Sequence, residues 1–155
     1  MKHTLLIITA LMLVVGCSSP EPINIDELVK KGDIFYTKDT NKPYSGPVFS
    51  LYENGQKKEG TLKNGKEDGL LTAWYENGQK KSEETYKDGE LDGRWTAWDE
   101  SGQKKYRGTY KDGELDGRWT AWDESGQKKW VGTYKDGAVI SEKCWDEDGN
   151  EIDCP

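Results

Sequence analysis

The feature that most constrains this chain is its similarity to itself. The stretch from Asp92 to Lys105, DGRWTAWDESGQKK, recurs word for word from Asp116 to Lys129. Asp68 to Lys81 is a more diverged copy, Ser45 to Lys58 is more diverged still, and Lys143 to Gly149 is a partial fifth. The glycines Gly55, Gly78, Gly102, Gly126 and Gly149 follow at steps of 23, 24, 24 and 23, while Gly65, Gly89, Gly113 and Gly137 keep a strict step of 24. A fixed period of this size marks a stack of short supersecondary units, none of which can bury its apolar face alone.

Two glycine-marked turns per unit mean two strands per unit. Glu-Asn-Gly at Gly55 and Gly78, and Glu-Ser-Gly at Gly102 and Gly126, supply the positive-φ position that a tight hairpin turn needs. Lys-Asp-Gly, starting at Lys87, Lys111 and Lys135, does the same at the other end of the unit. Between the turns lie Arg94 to Trp98 and Lys104 to Tyr110, short segments rich in Trp, Thr and Tyr, as strands are. No segment keeps a helical period beyond two turns, which excludes an α solenoid. The expected fold is all-β: an elongated, single-layer antiparallel meander of about nine strands.

Alternation along a strand sorts side chains onto opposite faces. Leu51, Trp74, Trp98, Trp122 and Trp145 stand four residues before the turn glycines and form a column on one face. Val48, Leu71, Trp95 and Trp119 form a column on the other, beside the small residues Ser50, Ala73, Ala97 and Ala121. Leu62, Tyr86, Tyr110 and Tyr134 add a third stripe from the return strands. Neighbouring stacked rings contribute about 0.5–1.5 kcal/mol per pair beyond area burial.

Composition fits this thin architecture. Apolar and charged residues each make up 33% of the 155-residue chain, with a mean hydropathy of −0.96. That is too little apolar area for a thick two-layer core. Seven Trp, eight Tyr and 18 Gly nevertheless make a composition that disordered chains avoid.

The first residues have a separate logic. Lys2 precedes the apolar run Leu5 to Val15, and Gly16 and Cys17 follow. This order reads as a secretory signal, too short to span a bilayer, which takes roughly 20 apolar residues. Val14-Val15-Gly16-Cys17 resembles a lipobox, which makes Cys17 the expected lipid acceptor and places residues 1–16 in the removed signal. Two or three acyl chains, palmitate among them, would anchor such a protein stably to a membrane. Ser18 rather than Asp at the next position points to the outer membrane if the cell has one. Residues 17–24, with Pro20 and Pro22, read as a tether. Asn24, the acids Asp26 and Glu27, Lys30, Lys31 and Gly32 are helix start and stop signals in order, predicting one or two turns of helix over Ile25 to Lys31. Residues 25–43 are therefore expected to cap the repeat body, 44–155.

The unit with its Trp or Tyr, its Gly-Gln turn, Tyr-Lys-Asp-Gly and Asp-Gly resembles the membrane occupation and recognition nexus (MORN) repeat in its bacterial variant form, over roughly Tyr44 to Gly149. The resemblance implies β-hairpins in one twisted sheet, and an interaction scaffold or membrane-proximal spacer as the function. Many bacterial variants also carry an antitoxin label, which sits badly with a lipobox.

With Cys17 assigned to lipid, Cys144 and Cys154 remain, five residues either side of Gly149. A hairpin turning there would bring them nearly opposite each other, and an exported compartment permits their oxidation. A disulfide across so short a loop contributes about 2.5–3 kcal/mol in the chain-entropy model. Asp146 to Asp153 has the look of a calcium loop but lacks the glycine at its sixth place, so an acidic turn is the better reading.

A net charge of −7 disfavours nucleic acid as a partner. Lys57-Lys58, Lys80-Lys81, Lys104-Lys105 and Lys128-Lys129 form a basic column that acids of the same repeats balance, a solvated charge ladder rather than an anion-binding strip. The one histidine, His3, lies in the signal, and acids such as Glu90 and Asp92 recur as turn residues at Glu114 and Asp116. Nothing singular is left for catalysis, and no cofactor or metal is called for. The expectation is an envelope scaffold anchored through Cys17 and meeting another envelope protein. Trp74, Trp98, Trp122 and Trp145 offer the alternative of stacking on successive sugars of a glycan.

Overall fold

The computed structural model describes residues 20–155. The expected signal segment, the expected lipid acceptor Cys17 and the start of the expected tether lie outside the described residues. The chain opens with β1 (Ile23–Asn24), a 3-10 turn (Ile25–Glu27), β2 (Leu28–Lys31) and β3 (Ile34–Thr37). The body follows as β4 (Gly46–Leu51), β5 (Lys57–Lys63), the short β6 (Lys66–Glu67), β7 (Gly69–Trp74), β8 (Lys80–Lys87) and β9 (Glu90–Trp98). It continues as β10 (Lys104–Lys111), the short β11 (Glu114–Leu115), β12 (Gly117–Trp122), β13 (Lys128–Lys135), β14 (Ala138–Trp145) and β15 (Glu151–Ile152).

One sheet runs in the order β1-β4-β5-β7-β8-β9-β10-β12-β13-β14-β15, with β6 and β11 extending the pairings of β5 and β10. Nine of these strands, β4, β5, β7, β8, β9, β10, β12, β13 and β14, are the long meander predicted from the two turns per repeat. All pair antiparallel with their sequence neighbours, and only β1 runs parallel, beside β4. Among the described residues, the only element packed on a face of this sheet is the small β2–β3 hairpin, which covers β4 and β5 at the amino-terminal end.

The two turn families do different work. At one end, Asn64-Gly65, Asp88-Gly89, Asp112-Gly113 and Asp136-Gly137 place two consecutive residues at positive φ, near 50° and then 74–91°. Only Asn, Asp and Gly adopt this at low cost, and it matches the twist of the flanking strands. The glycine amides then reach back one repeat: Gly89 N–H donates to Glu67 O (2.8 Å), Gly113 to Leu91 O (2.9 Å) and Gly137 to Leu115 O (3.0 Å). Each turn is thereby stacked on the last.

At the other end the turn chemistry changes along the chain. In the later repeats Asp99 Oδ1 accepts from the amides of Ser101 and Gln103, and Asp123 Oδ1 accepts from those of Ser125 and Gln127, all at 2.9–3.0 Å. The earlier repeats have Tyr52 and Tyr75 there, and Asn54 and Asn77 accept from Gln56 (3.2 Å) and Gln79 (2.9 Å) instead. Asp146 to Asn150 repeats the aspartate turn, with Asn150 N–H donating to Asp146 Oδ1 at 2.8 Å. The acidic segment is thus a hairpin turn of the repeat.

The amino terminus departs from the helical expectation. One turn of 3-10 helix forms, with Asn24 Oδ1 accepting from Asp26 N–H at 3.0 Å, and then the chain extends as β2 and pairs with β3. The capping signals are local, whereas Leu28 is held by burial against Val48 and Leu62, with Ile23, Ile25, Phe35 and Tyr44 around them. Packing on the sheet outweighs a weak helical tendency. Phe35 N–H donates to Gly65 O (2.8 Å) and Gly65 N–H to Tyr44 O (2.7 Å), so the cap is a hairpin hooked onto the first turn.

Candidate functional site

The sheet offers two faces, and the repeat makes them chemically different. On the packed face, Trp95 on β9 and Trp119 on β12 stack with centroids 5.3 Å apart, and Tyr110 meets Trp119 edge-on at 5.2 Å. Trp119 Nε1–H donates to Thr109 O at 3.0 Å, so the indole is buried without losing its polar partner. The Trp119 ring lies over Gly108, which the register sets opposite Trp95, whereas Gly132, opposite Trp119, is covered by the Trp130 and Tyr134 rings. A Cβ on Gly108 would overlap the Trp119 ring.

Gly60, Gly108 and Gly132 are therefore a third glycine series, inside strands and not in turns, and the 24-residue step carries it too. The remaining member is Glu84, paired with Leu71 and with Trp95. Ser82 Oγ donates to its Oε1 (2.8 Å) and Tyr86 OH to its Oε2 (2.9 Å). Burial, together with that carboxylate alongside, holds the Tyr86 hydroxyl well above the ordinary phenol range.

The open face carries the columns ending in Trp74, Trp98, Trp122 and Trp145. All four are half-buried, and no ring–ring stacking links them. Lysine ammonium groups sit over two of them, Lys57 over Trp74 at 5.6 Å and Lys104 over Trp122 at 5.7 Å. Tyr75 OH donates to Trp98 O at 2.8 Å and ties adjacent repeats together. Trp145 ends β14, opposite Glu151. Between the tryptophans and the strand starts runs a column of buried threonines, Thr72, Thr96 and Thr120.

The charge ladder holds for only part of this face. Lys57 pairs with Glu59 and Lys80 with Glu83. Glu59 faces Thr72 and Glu83 faces Thr96 in register, and the same position one and two repeats later is Arg107 and Val131. Lys104 and Lys128 consequently have no ion pair within 4.0 Å among the described residues. A sign change at a single register position separates the two halves of the open face.

Cys144 and Cys154 form a disulfide, with Cα atoms 5.2 Å apart. The register sets Cys144 opposite Ile152, so the bridge runs diagonally to the residue two positions farther on. Lys143 reinforces the closure by pairing with Glu151 at 2.8 Å. Among the described residues no cluster of three or more metal-ligating side chains occurs.

The MORN repeat variant family model matches residues 67–88 and 91–112. Those two segments each run from the stacked-turn carbonyl, Glu67 or Leu91, to the aspartate before the next turn glycine. No curated protein matches the chain. Over these two units the chain is similar to MORN repeat variants, and its hairpin meander is the fold that such repeats build.

Proposed function

We propose that this chain is a lipid-anchored scaffold of the cell envelope, held through Cys17 and presenting the open face of its sheet to another envelope protein. The observation that carries the reading is the asymmetry of the two faces. One is consumed by ring stacking and by the amino-terminal hairpin, while the other carries half-buried Trp and exposed basic side chains, with no element among the described residues packed over it. Rigid periodic surfaces of this kind suit extended contact, and the paired strands resist the deformation that would blur it. The repeat matches are compatible with such a role.

A photo-activatable residue at position 98, introduced into the full-length protein in intact cells, tests this directly. A discrete protein adduct is expected, together with incorporation of labelled acyl chain that Cys17→Ala abolishes. Failure to label Cys17, or no protein adduct, overturns the reading. Carbohydrate stacking is a second reading, favoured by the half-exposed Trp98 and Trp122 two strands apart, about 10 Å at ordinary strand spacing. The same experiment would then give a polysaccharide adduct in place of a protein.

A further inference from the structure

All three arginines of the chain, Arg94, Arg107 and Arg118, line one shallow groove of about 420 Å³ on the open face. The register explains how they meet. Arg107 on β10 faces Thr96 on β9 and Thr120 on β12, and Arg94 faces Thr109. Continuing the β10–β12 ladder by two residues sets Arg118 beside Thr109 on its other side. Across three adjacent strands, Arg94-Thr109-Arg118 makes one row and Thr96-Arg107-Thr120 the next. Trp122 and Lys128 close one end of the groove.

No ion pair within 4.0 Å among the described residues involves an arginine. Of the nearby acids, Glu83 is paired with Lys80 and Asp116 with Lys135. The chain as a whole is acidic, at −7. Three exposed guanidinium groups gathered without a counter-charge raise the energy of the empty face and lower that of an anion-bound one. Folding of the repeat does not require Arg107, because its register position holds Glu59 and Glu83 in earlier units and Val131 in a later one.

The donor set selects among anions. Guanidinium presents a planar fork that grips oxyanions bidentately, which lysine cannot do. One carboxylate would engage one fork and leave two arginines unmatched, whereas a phosphate has charge and oxygens for all three, and the hydroxyls of Thr109 and Thr120 add neutral donors. We propose that Arg94, Arg107 and Arg118 form a binding site for a phosphate group, either free or carried on a larger molecule.

The test uses the full-length protein in neutral detergent at low salt, titrated with inorganic pyrophosphate and separately with poly(glycerol phosphate), with amide NMR shifts as readout. Saturable shifts are expected at Gly108, Thr109 and Thr120, weakening as salt rises. Arg107→Glu should weaken binding about tenfold or more, with the Trp95 and Trp119 signals unmoved. Arg107→Lys should fall between, and Arg94→Gln with Arg118→Gln serves should R107E perturb the fold. Tighter binding of the polymer than of pyrophosphate would identify a chain-borne phosphate, and equal binding a free one. The proposal is overturned if neither probe saturates, if R107E binds as the wild type does, or if polyglutamate, an acidic peptide, binds as tightly as the phosphates.

Discussion

Under β4 and β5 the sheet is packed by aliphatic side chains beneath a separate hairpin, whereas from β9 to β13 it is packed by aromatic rings that cover one another. Leu62, 1% exposed, is the deepest residue of the first region, and it is buried because Leu28 and the turn of β2 and β3 lie on it. Trp119, 8% exposed, is the counterpart in the second region, buried by Trp95 and Tyr110 from within the repeats. A repeat with a large ring can cover its neighbour. One with Val48 or Leu71 at that position needs something from outside, so the cap sits at the end where the rings are missing.

Removing a ring should therefore injure the second region more than any change on the open face. Trp119→Ala deletes a buried indole and its bond to Thr109, and should destabilise β9 to β13 by about 3–5 kcal/mol. Trp122→Ala, on the half-exposed column, should cost far less. Hydrogen exchange of the β9, β10 and β12 amides is the proper readout, because a repeat stack melts locally. Equal losses for the two variants would mean that the stack is not what holds this region.

The same turn position then separates the regions by what touches it. Gly65 and Gly113 both sit at positive φ, 80° and 82°. A Cβ on Gly113 meets nothing within 4 Å, while one on Gly65 would overlap Ile34 and lie 2.6 Å from Phe35 O. Gly113→Ala should cost about 1–2 kcal/mol, the left-handed penalty alone. For Gly65→Ala about 1–3 kcal/mol of overpacking is added, with the cap hairpin released. Limited proteolysis within residues 25–43 checks this. Cleavage that rises equally in both variants would show that the hook through Gly65 does not hold the cap.

Much of this architecture is legible in the residues, because the repeat multiplies every weak signal. Turn glycines, two strands per unit and the split of Trp95 and Trp119 from Trp98 and Trp122 all follow from a period of 24 combined with alternation. The same turn logic sets Cys144 and Cys154 on one hairpin, although two-residue offsets such as Cys144 facing Ile152 depend on a register that spacing does not specify. Two features escaped. Asn24 to Gly32 carries helix signals worth a few tenths of a kcal/mol each, and burial of Leu28 overrode them. The strand glycines Gly60, Gly108 and Gly132, and the run Glu59, Glu83, Arg107, Val131, keep the period but lie between the turns, where only the register shows what each faces. The groove of three arginines is invisible until β9, β10 and β12 are laid side by side.

The smallest expected effect concerns the turns near the tryptophans. The Asp99, Asp123 and Asp146 carboxyls are held below the usual carboxylate range, first by side-chain hydrogen bonds from Ser101, Ser125 and Asn150 and then by backbone amides. Asn54 and Asn77 occupy the corresponding role in the earlier repeats and do not titrate. A depressed folded pKa means that the carboxylates contribute fully above the ordinary aspartate value, near 3.8, and lose that contribution as pH falls through their lower folded values. Acidification below about pH 4 should therefore loosen the later turns while the first two hold. The exchange protection of the Gln103, Gln127 and Asn150 amides should fall with pH, after correction for intrinsic rates, and that of Gln56 and Gln79 should stay level. All five turns are exposed, so the difference is local and modest, and it leaves the overall melting temperature nearly unchanged. Concerted loosening of all five would show that acid acts on the sheet as a whole, and that the exchange of asparagine for aspartate between the two regions is neutral for stability.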